Sequence, residues 1–552
     1  MKRDFSNLQQ LLQHGVQSYS DRNSFSFVGS KPLTFREFGN EVEHYSKILR
    51  QKSVKKADKV AILAPNSPQW GIAYFSIVSI GAVVVPLMND FSAFEIDNIL
   101  THSEAKAIFV HEKMMEKNKE VLGRLDIVIN VSDASIFSSR IEGDIDSKSE
   151  IEEISKEDLA AIIYTSGTTG KSKGVMLSHH NLCEQIKMVA TLQPVYETDV
   201  WLSILPLSHT YECSLGLLTS MMSGSSTYYL EKPPTAAVLL PALKDVKPTM
   251  MLTVPMIIEK IFRNKIYPEL TKSKLLSTLY SIPFMRKVMH KKAASALYQT
   301  FGGRLRFYGI GGAKLDKTVE RFLLEGKVFP YAIGYGLTET APLLAGVNPS
   351  MVHLQSTGPA IQGVSLKIHN PDPITGEGEI WAKGDNIMMG YYKEPEITKE
   401  VLTEDGWFKT GDIGIMDKHN YLFIKGRKKN VIIGSNGENI YPEDIECVIN
   451  SFKGVMESIV VEKKGKLVAM VNFNMEEVEK NYEQFKEQLS AKVESFKNDF
   501  DGRVEQIKKE LLAYVNNRVS SSSKISQVIE VKNEFDKTPT QKIKRYKYTT
   551  SK

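Results

Sequence analysis

The sequence predicts an α/β fold in two parts: a large N-terminal α/β domain of several layers and a small C-terminal domain. Three observations carry this expectation. Short β-branched apolar runs alternate with longer amphipathic stretches, the pattern of strand and helix units layered on a largely parallel sheet. The chain has 552 residues, too many for one ordinary domain. Past "IKGRKKNVIIGSNGENIYPEDIE" the pattern changes to a long run of apolar residues at helical spacing.

The strand candidates, in order, are "KVAILAP", "AVVVPL", "KAIFVH", "DIVINV", "LAAIIYTSG" and "STYYL". They are apolar on both faces, as strands covered by helices on each side must be. The segment from Trp70 to Asn89 carries no charge and approaches the length of a membrane span. Gly81 and Pro86 divide it into a helix, a turn and a β-branched strand, so it is expected inside the domain. Residues 134–158 are polar and acid-rich and are expected to form a surface connection. Near the other end, Val478, Tyr482, Phe485, Leu489, Val493, Phe496, Phe500, Val504, Ile507, Leu511 and Val515 predict one long amphipathic helix, or two broken at Gly502, packed on the small domain.

Composition narrows the function classes. Apolar residues make up 42% and charged residues 24%, with a net charge of +5, too small for this length to mark a nucleic-acid surface. Cys183, Cys213 and Cys447 are far apart and form no C-x-x-C pair, which argues against a disulfide framework or a zinc site and fits a reducing compartment. The start "MKRDFSNLQQLLQHG" has no apolar core of a secretory signal, so the protein is expected to be cytoplasmic. No feature specifies an oligomeric state.

The chemistry starts at "YTSGTTGKSKGVMLSHHNL", Tyr164 to Leu182. A Gly, Ser and Thr loop after a strand offers backbone N–H groups and hydroxyls to phosphate oxygens, and Lys171 and Lys173 add positive charge. A Walker A loop needs four residues between its glycines, and here two separate Gly167 from Gly170, which argues against a Walker kinase. From the residues alone the loop reads either as a phosphate cradle or as a surface turn.

The whole stretch resembles the phosphate-binding signature of the adenylate-forming superfamily, which includes acyl-CoA synthetases, luciferase and adenylation domains. Further signatures follow in that family's order, so the resemblance runs from about residue 10 to the C-terminal tail. "LPLSHTYE" is similar to the segment lining the acyl site, with His209 beside the substrate carboxylate. "YGIGGAKLD" and "GYGLTETAP" resemble the segments around the adenine and the reaction centre. There Gly311, Gly312 and Ala313 let a flat base lie against backbone. The resemblance implies that Tyr335, followed by Gly336, stacks on the adenine, that Thr338 contacts the α-phosphate and that Glu339 binds Mg²⁺. "DGWFKTGDIG" is similar to the motif whose second aspartate, Asp412, holds the ribose hydroxyls. In "GRKKN", Arg427 lies near the ribose and Lys429 is the pivot. "KTPTQKIKRYKY" is similar to the last signature, in which Lys542 is the mobile catalytic residue; Gln541 stands where many members have Gly.

The resemblance implies a nucleotide loop of Ser166, Gly167, Thr168, Thr169, Gly170, Lys171 and Lys173. It places Mg²⁺ on Glu339 with Thr165, and a catalytic set of Lys542, Glu339, Thr338, Thr165 and His209. It also implies a large ATP- and acyl-binding domain over 1–426, a hinge at 427–429 and a small mobile α+β domain over 430–552. The stretch from Asp405 to Lys429 is close to the fatty-acyl-CoA synthetase form. The implied reaction joins a medium- or long-chain fatty acid to coenzyme A through an acyl-adenylate, with ATP and Mg²⁺. An acyl-carrier protein is the alternative thiol, and a catalytically inactive fatty-acid-binding member is the distant alternative. Cys213 stands where some long-chain members carry a gating tryptophan. The basic segment from Ser281 to Arg306 reads first as a surface helix with a solvated face, and second as a peripheral membrane contact.

Overall fold

The computed structural model describes residues 5–141, 152–166, 172–434, 438–463, 465–474, 500–538 and 543–549. The chain divides into two compact units: Met1–Lys367 with Trp381–Thr410 and Met416–Phe423, and Ile368–Ile380 with Gly411–Ile415 and Ile424–Lys552.

In the first unit, runs apolar on both faces become interior strands of two sheets. One sheet has seven strands in the order Phe25–Phe27, Ser226–Tyr229, Val200–Ser203, Met250–Thr253, Phe307–Ile310, Tyr331–Gly336 and Leu343–Gly346, parallel until the last pair. The other has eight, in the order Gly390–Tyr391, Ser172–Ser178, Leu159–Ser166, Val83–Pro86, Lys59–Leu63, Ala105–Val110, Ile127–Asn130 and Ile136–Ser139, with antiparallel pairs at both ends. The α/β expectation holds.

The uncharged segment folds as its breakers dictate. Ser67 caps helix Pro68–Ser79 by accepting from the Trp70 amide, Gly81 turns the chain at φ +74°, and strand Val83–Pro86 follows. Almost every side chain in it is buried, and among the described residues no helix is long and apolar enough to cross a membrane.

One expectation needs correction. The connection over 134–158 includes an exposed edge strand, Ile136–Ser139, that pairs antiparallel with Ile127–Asn130. Pairing with an existing sheet edge outweighs its polar sequence. Of the two forms the sequence allows at Gly502, the described helix Phe500–Asn516 takes the unbroken one. One interior glycine costs about 1 kcal/mol, which the burial of Val504, Leu511 and Val515 exceeds. Positions Val478 to Phe496 lie outside the described residues.

The second unit packs that helix and Pro442–Asn450 against a three-stranded sheet of Val455–Lys463, Lys466–Phe473 and Gln527–Glu530. Its tail is anchored. Arg545 Nη2 lies 2.7 Å from both oxygens of the buried Glu446 carboxylate, and its Nη1 donates to the Val460 carbonyl at 2.8 Å. Lys537 and Ile543 form an antiparallel bridge, and Lys537 pairs with Glu457 at 2.8 Å.

Candidate active site

In open α/β sheets, ligands bind where parallel strands end at their carboxyl edge. Strands Val200–Ser203, Met250–Thr253, Phe307–Ile310 and Tyr331–Gly336 are parallel neighbours in one sheet. The chain leaves three of them directly into the segments bearing His209, Gly311 to Ala313, and Thr338 with Glu339. Distant parts of the sequence are thereby brought to one edge.

Glu339 sits in the short 3₁₀ turn Thr338–Thr340. The Leu337 amide donates to Thr340 Oγ1 at 3.0 Å, and that hydroxyl in turn bonds the Pro342 carbonyl. The buried Asn386 holds the turn from behind, its Nδ2 lying 2.9 Å from the carbonyls of Thr340 and Leu343 and from Gln185 Oε1. Gly336 enters the turn where no side chain fits, since a Cβ there would overlap the Pro342 carbonyl oxygen.

The carboxylate of Glu339 is oriented by Tyr391, whose hydroxyl donates to Oε1 at 2.9 Å. Tyr391 belongs to strand Gly390–Tyr391, which pairs antiparallel with Ser172–Ser178, with Tyr391 opposite Val175. Two residues earlier on that strand, Lys173 sets its Nζ 4.8 Å from the centre of the Tyr391 ring. Thr165 lies across from Lys173 on strand Leu159–Ser166. The strand that follows the Gly, Ser and Thr loop and the Glu339 turn are thus joined through one tyrosine. Gly167, Thr168, Thr169, Gly170 and Lys171 lie outside the described residues, as does the Ser166 side chain.

This arrangement suits a hard cation such as Mg²⁺. A carboxylate offers two oxygens and about four lone-pair sites, so the Tyr391 bond leaves acceptor capacity on Glu339. Among the described residues there is no cluster of three or more His, Cys, Asp or Glu that could hold a metal. One carboxylate supplemented by nucleotide phosphates is the form of site these residues offer.

In the segment "LPLSHTYE", His209 is half-buried and caps the short helix Thr210–Glu212, its Nδ1 accepting from the Tyr211 amide at 3.1 Å. In the neutral tautomer that accepts at Nδ1, the ring proton sits on Nε2. Tyr211 packs against Gly311, where a Cβ would come 3.1 Å from its ring. Gly312 follows at φ +81°. Tyr211 and Tyr335 flank the same apolar cluster. Cys213 opens a π-helical turn, Cys213–Leu218, and is buried in the core, its thiol pushed up to about 12 by desolvation.

Glu212 is fully buried, and desolvation pushes its carboxyl up to about 8. A folded-state value above the ordinary 4.5 means stability is complete below about pH 4.5 and is lost as pH rises to about 8. The loss amounts to roughly 3–5 kcal/mol. Glu212→Gln keeps the shape and removes the titration. Urea unfolding at pH 5 and pH 8.5 is expected to show a much smaller pH loss in the variant; parallel losses would contradict the assignment.

In the second unit, Asp412 on strand Phe408–Met416 is buried, and Arg427, the last residue of Leu422–Arg427, sets Nε 2.9 Å from its Oδ1. Lys429 is exposed in the turn Lys428–Asn430 that follows. Lys542 lies outside the described residues. Sequence reasoning missed Tyr391, Asn386 and Gln185, which belong to no local motif and act only through the fold.

The family profile described as AMP-binding enzyme matches residues 12–392. A long-chain-fatty-acid–CoA ligase of Salmonella typhimurium is 29% identical over 83% of this chain and 83% of its own length. A chloroplastic long-chain-fatty-acid–[acyl-carrier-protein] ligase of Arabidopsis thaliana is 28% identical over 86% of this chain and 77% of its own. The fold is similar to that of O-succinylbenzoate coenzyme A synthetase from Bacillus subtilis in complex with ATP and magnesium ion, with a TM-score of 0.74, 22% identity, and 97% and 98% of the two chains covered.

Proposed function

The chain belongs to the AMP-binding enzyme family as an AMP-forming acid–thiol ligase, and from that premise we propose that it joins a long-chain fatty acid to coenzyme A through an acyl-adenylate. The observation that carries the reading is the link from Lys173 through Tyr391 to Glu339, which ties the nucleotide loop to the reaction-centre turn. The substrate class rests on similarity to the curated fatty-acid ligases.

A carboxylate cannot expel oxide, so attack by a thiol requires prior activation. In the first half-reaction the fatty acid carboxylate oxygen attacks the α-phosphorus of ATP, the bond to the pyrophosphate oxygen breaks, and an acyl-adenylate forms. His209 Nε2–H orients the carboxylate, while Thr338, Lys173 and the loop hydroxyls face the phosphoryl oxygens that gain charge. Glu339 with Thr165 would hold Mg²⁺, which supplies charge neutralisation at the phosphates when bound. Asp412, paired with Arg427, accepts from the ribose diol. In the second half-reaction the CoA thiolate attacks the acyl carbon and AMP departs. The small domain is proposed to turn about residues 427–429 between the two, withdrawing Lys542 and admitting the thiol.

The reading is tested by pyrophosphate–ATP exchange, expected to depend on added fatty acid; exchange supported only by short or aromatic acids would contradict it. Tyr391→Phe keeps the ring under Lys173 and deletes the bond to Glu339. Because a hydrogen bond to a charged group is worth about 1.5–3 kcal/mol, exchange is expected to fall about 10- to 100-fold, with a higher Mg²⁺ requirement. Unchanged Mg²⁺ dependence would remove Tyr391 from the site.

A further inference from the structure

Exposed apolar side chains usually stand singly, as Phe94 and Ile374 do here. Helices Lys274–Ser281 and Pro283–Thr300 differ. Over these two helices and their junction, Leu275 is 70% exposed, Ile282 45%, Phe284 73% and Val288 51%. The longer helix buries His290, Ala294 and Leu297 on its inner face, so Phe284 and Val288, one turn apart, are an additional apolar stripe directed to solvent.

The stripe is framed by one sign of charge. Lys274, Lys287, Lys291 and Lys292 are exposed, and no Asp or Glu occurs in the sequence between Glu269 and Asp316. Glu269, at the edge, is paired with Lys272 at 3.0 Å. Arg286 does not belong to this face: its Nε and Nη2 bond both oxygens of Glu325, at 3.0 and 2.8 Å. Large apolar side chains set among lysines, on helices that carry no carboxylate of their own, form the surface chemistry of a helix lying in a membrane interface.

We propose that this face is a docking surface for an anionic lipid bilayer, with Leu275, Ile282, Phe284 and Val288 entering the headgroup boundary and the four lysines lying over lipid phosphates. The proposal concerns binding rather than catalysis, so it stands or fails independently of the acid and thiol assigned above.

The test is flotation of the full chain with phosphatidylcholine vesicles and with vesicles that also contain phosphatidylglycerol. Preferential flotation with the anionic vesicles, weakened by salt, is expected. Combined replacement of Lys274, Lys287, Lys291 and Lys292 by Gln should lower that partition on the order of several hundredfold, from about fivefold per lysine. Combined Leu275→Ser, Phe284→Ser and Val288→Ser should abolish it, with an unchanged unfolding midpoint as the control for folding. Absence of binding, equal binding to both vesicle types, or variants that float like the parent would overturn the proposal. So would concentration-dependent self-association lost in the serine variant without vesicle binding, which would make a second copy of the chain the occupant.

Discussion

Replacing Glu339 with Gln is expected to lower fatty-acid-dependent pyrophosphate–ATP exchange on the order of 10²–10³-fold while leaving the fold intact. The amide oxygen still accepts from the Tyr391 hydroxyl, and the turn keeps its supports in Thr340 and Asn386, so geometry is preserved and only charge is lost. The charge is what a cation and the phosphates it neutralises require. Added Mg²⁺ should recover part of the loss if Glu339 contributes affinity. Exchange equal to that of the parent would show that the carboxylate has no part in adenylate formation.

Lys542→Ala is expected to separate the two half-reactions. Adenylate formation should fall on the order of 10²–10³-fold, because a preorganised positive charge is removed from phosphates that gain negative charge. Conversion of supplied acyl-adenylate and CoA to acyl-CoA should persist, since that step proceeds with the lysine withdrawn. The described residues on either side of it are tied to the second unit: Lys537 bridges Ile543 and pairs with Glu457, and Arg545 is bound to Glu446. A basic tail left to solvent would have none of these contacts. Equal loss of both half-reactions would overturn the assignment.

Much of the fold was legible because its signals are local. Gly81 and Pro86 punctuate the uncharged segment where the structure turns it, and each doubly apolar run became a buried strand. The positions at the carboxyl edge followed from motifs that sit just beyond strands. What was not legible depends on pairing between distant segments. Tyr391 reaches Glu339 across 52 residues only because Gly390–Tyr391 adds to the edge of the sheet beside Lys173. Glu212 reads as an ordinary acid in a polar octapeptide, and only the packing around the π-helical turn buries it. Helix Pro283–Thr300 has apolar residues on both faces, so periodicity could not say which of them meet the core. Gly502 left two forms open, and an apolar stripe that packs well carries the helix through a single glycine.

The central claim is the joining of a fatty acid to CoA through an adenylate. It is tested most directly by AMP and pyrophosphate release from ATP and Mg²⁺ over a ladder of fatty acids, each with and without CoA. The account predicts AMP release that depends on chain length and is sustained only when CoA is present. Adenylate formation that CoA does not turn over, but that an acyl-carrier protein does, would contradict the assigned acceptor; no acid-dependent pyrophosphate release with any chain length would contradict the reaction itself.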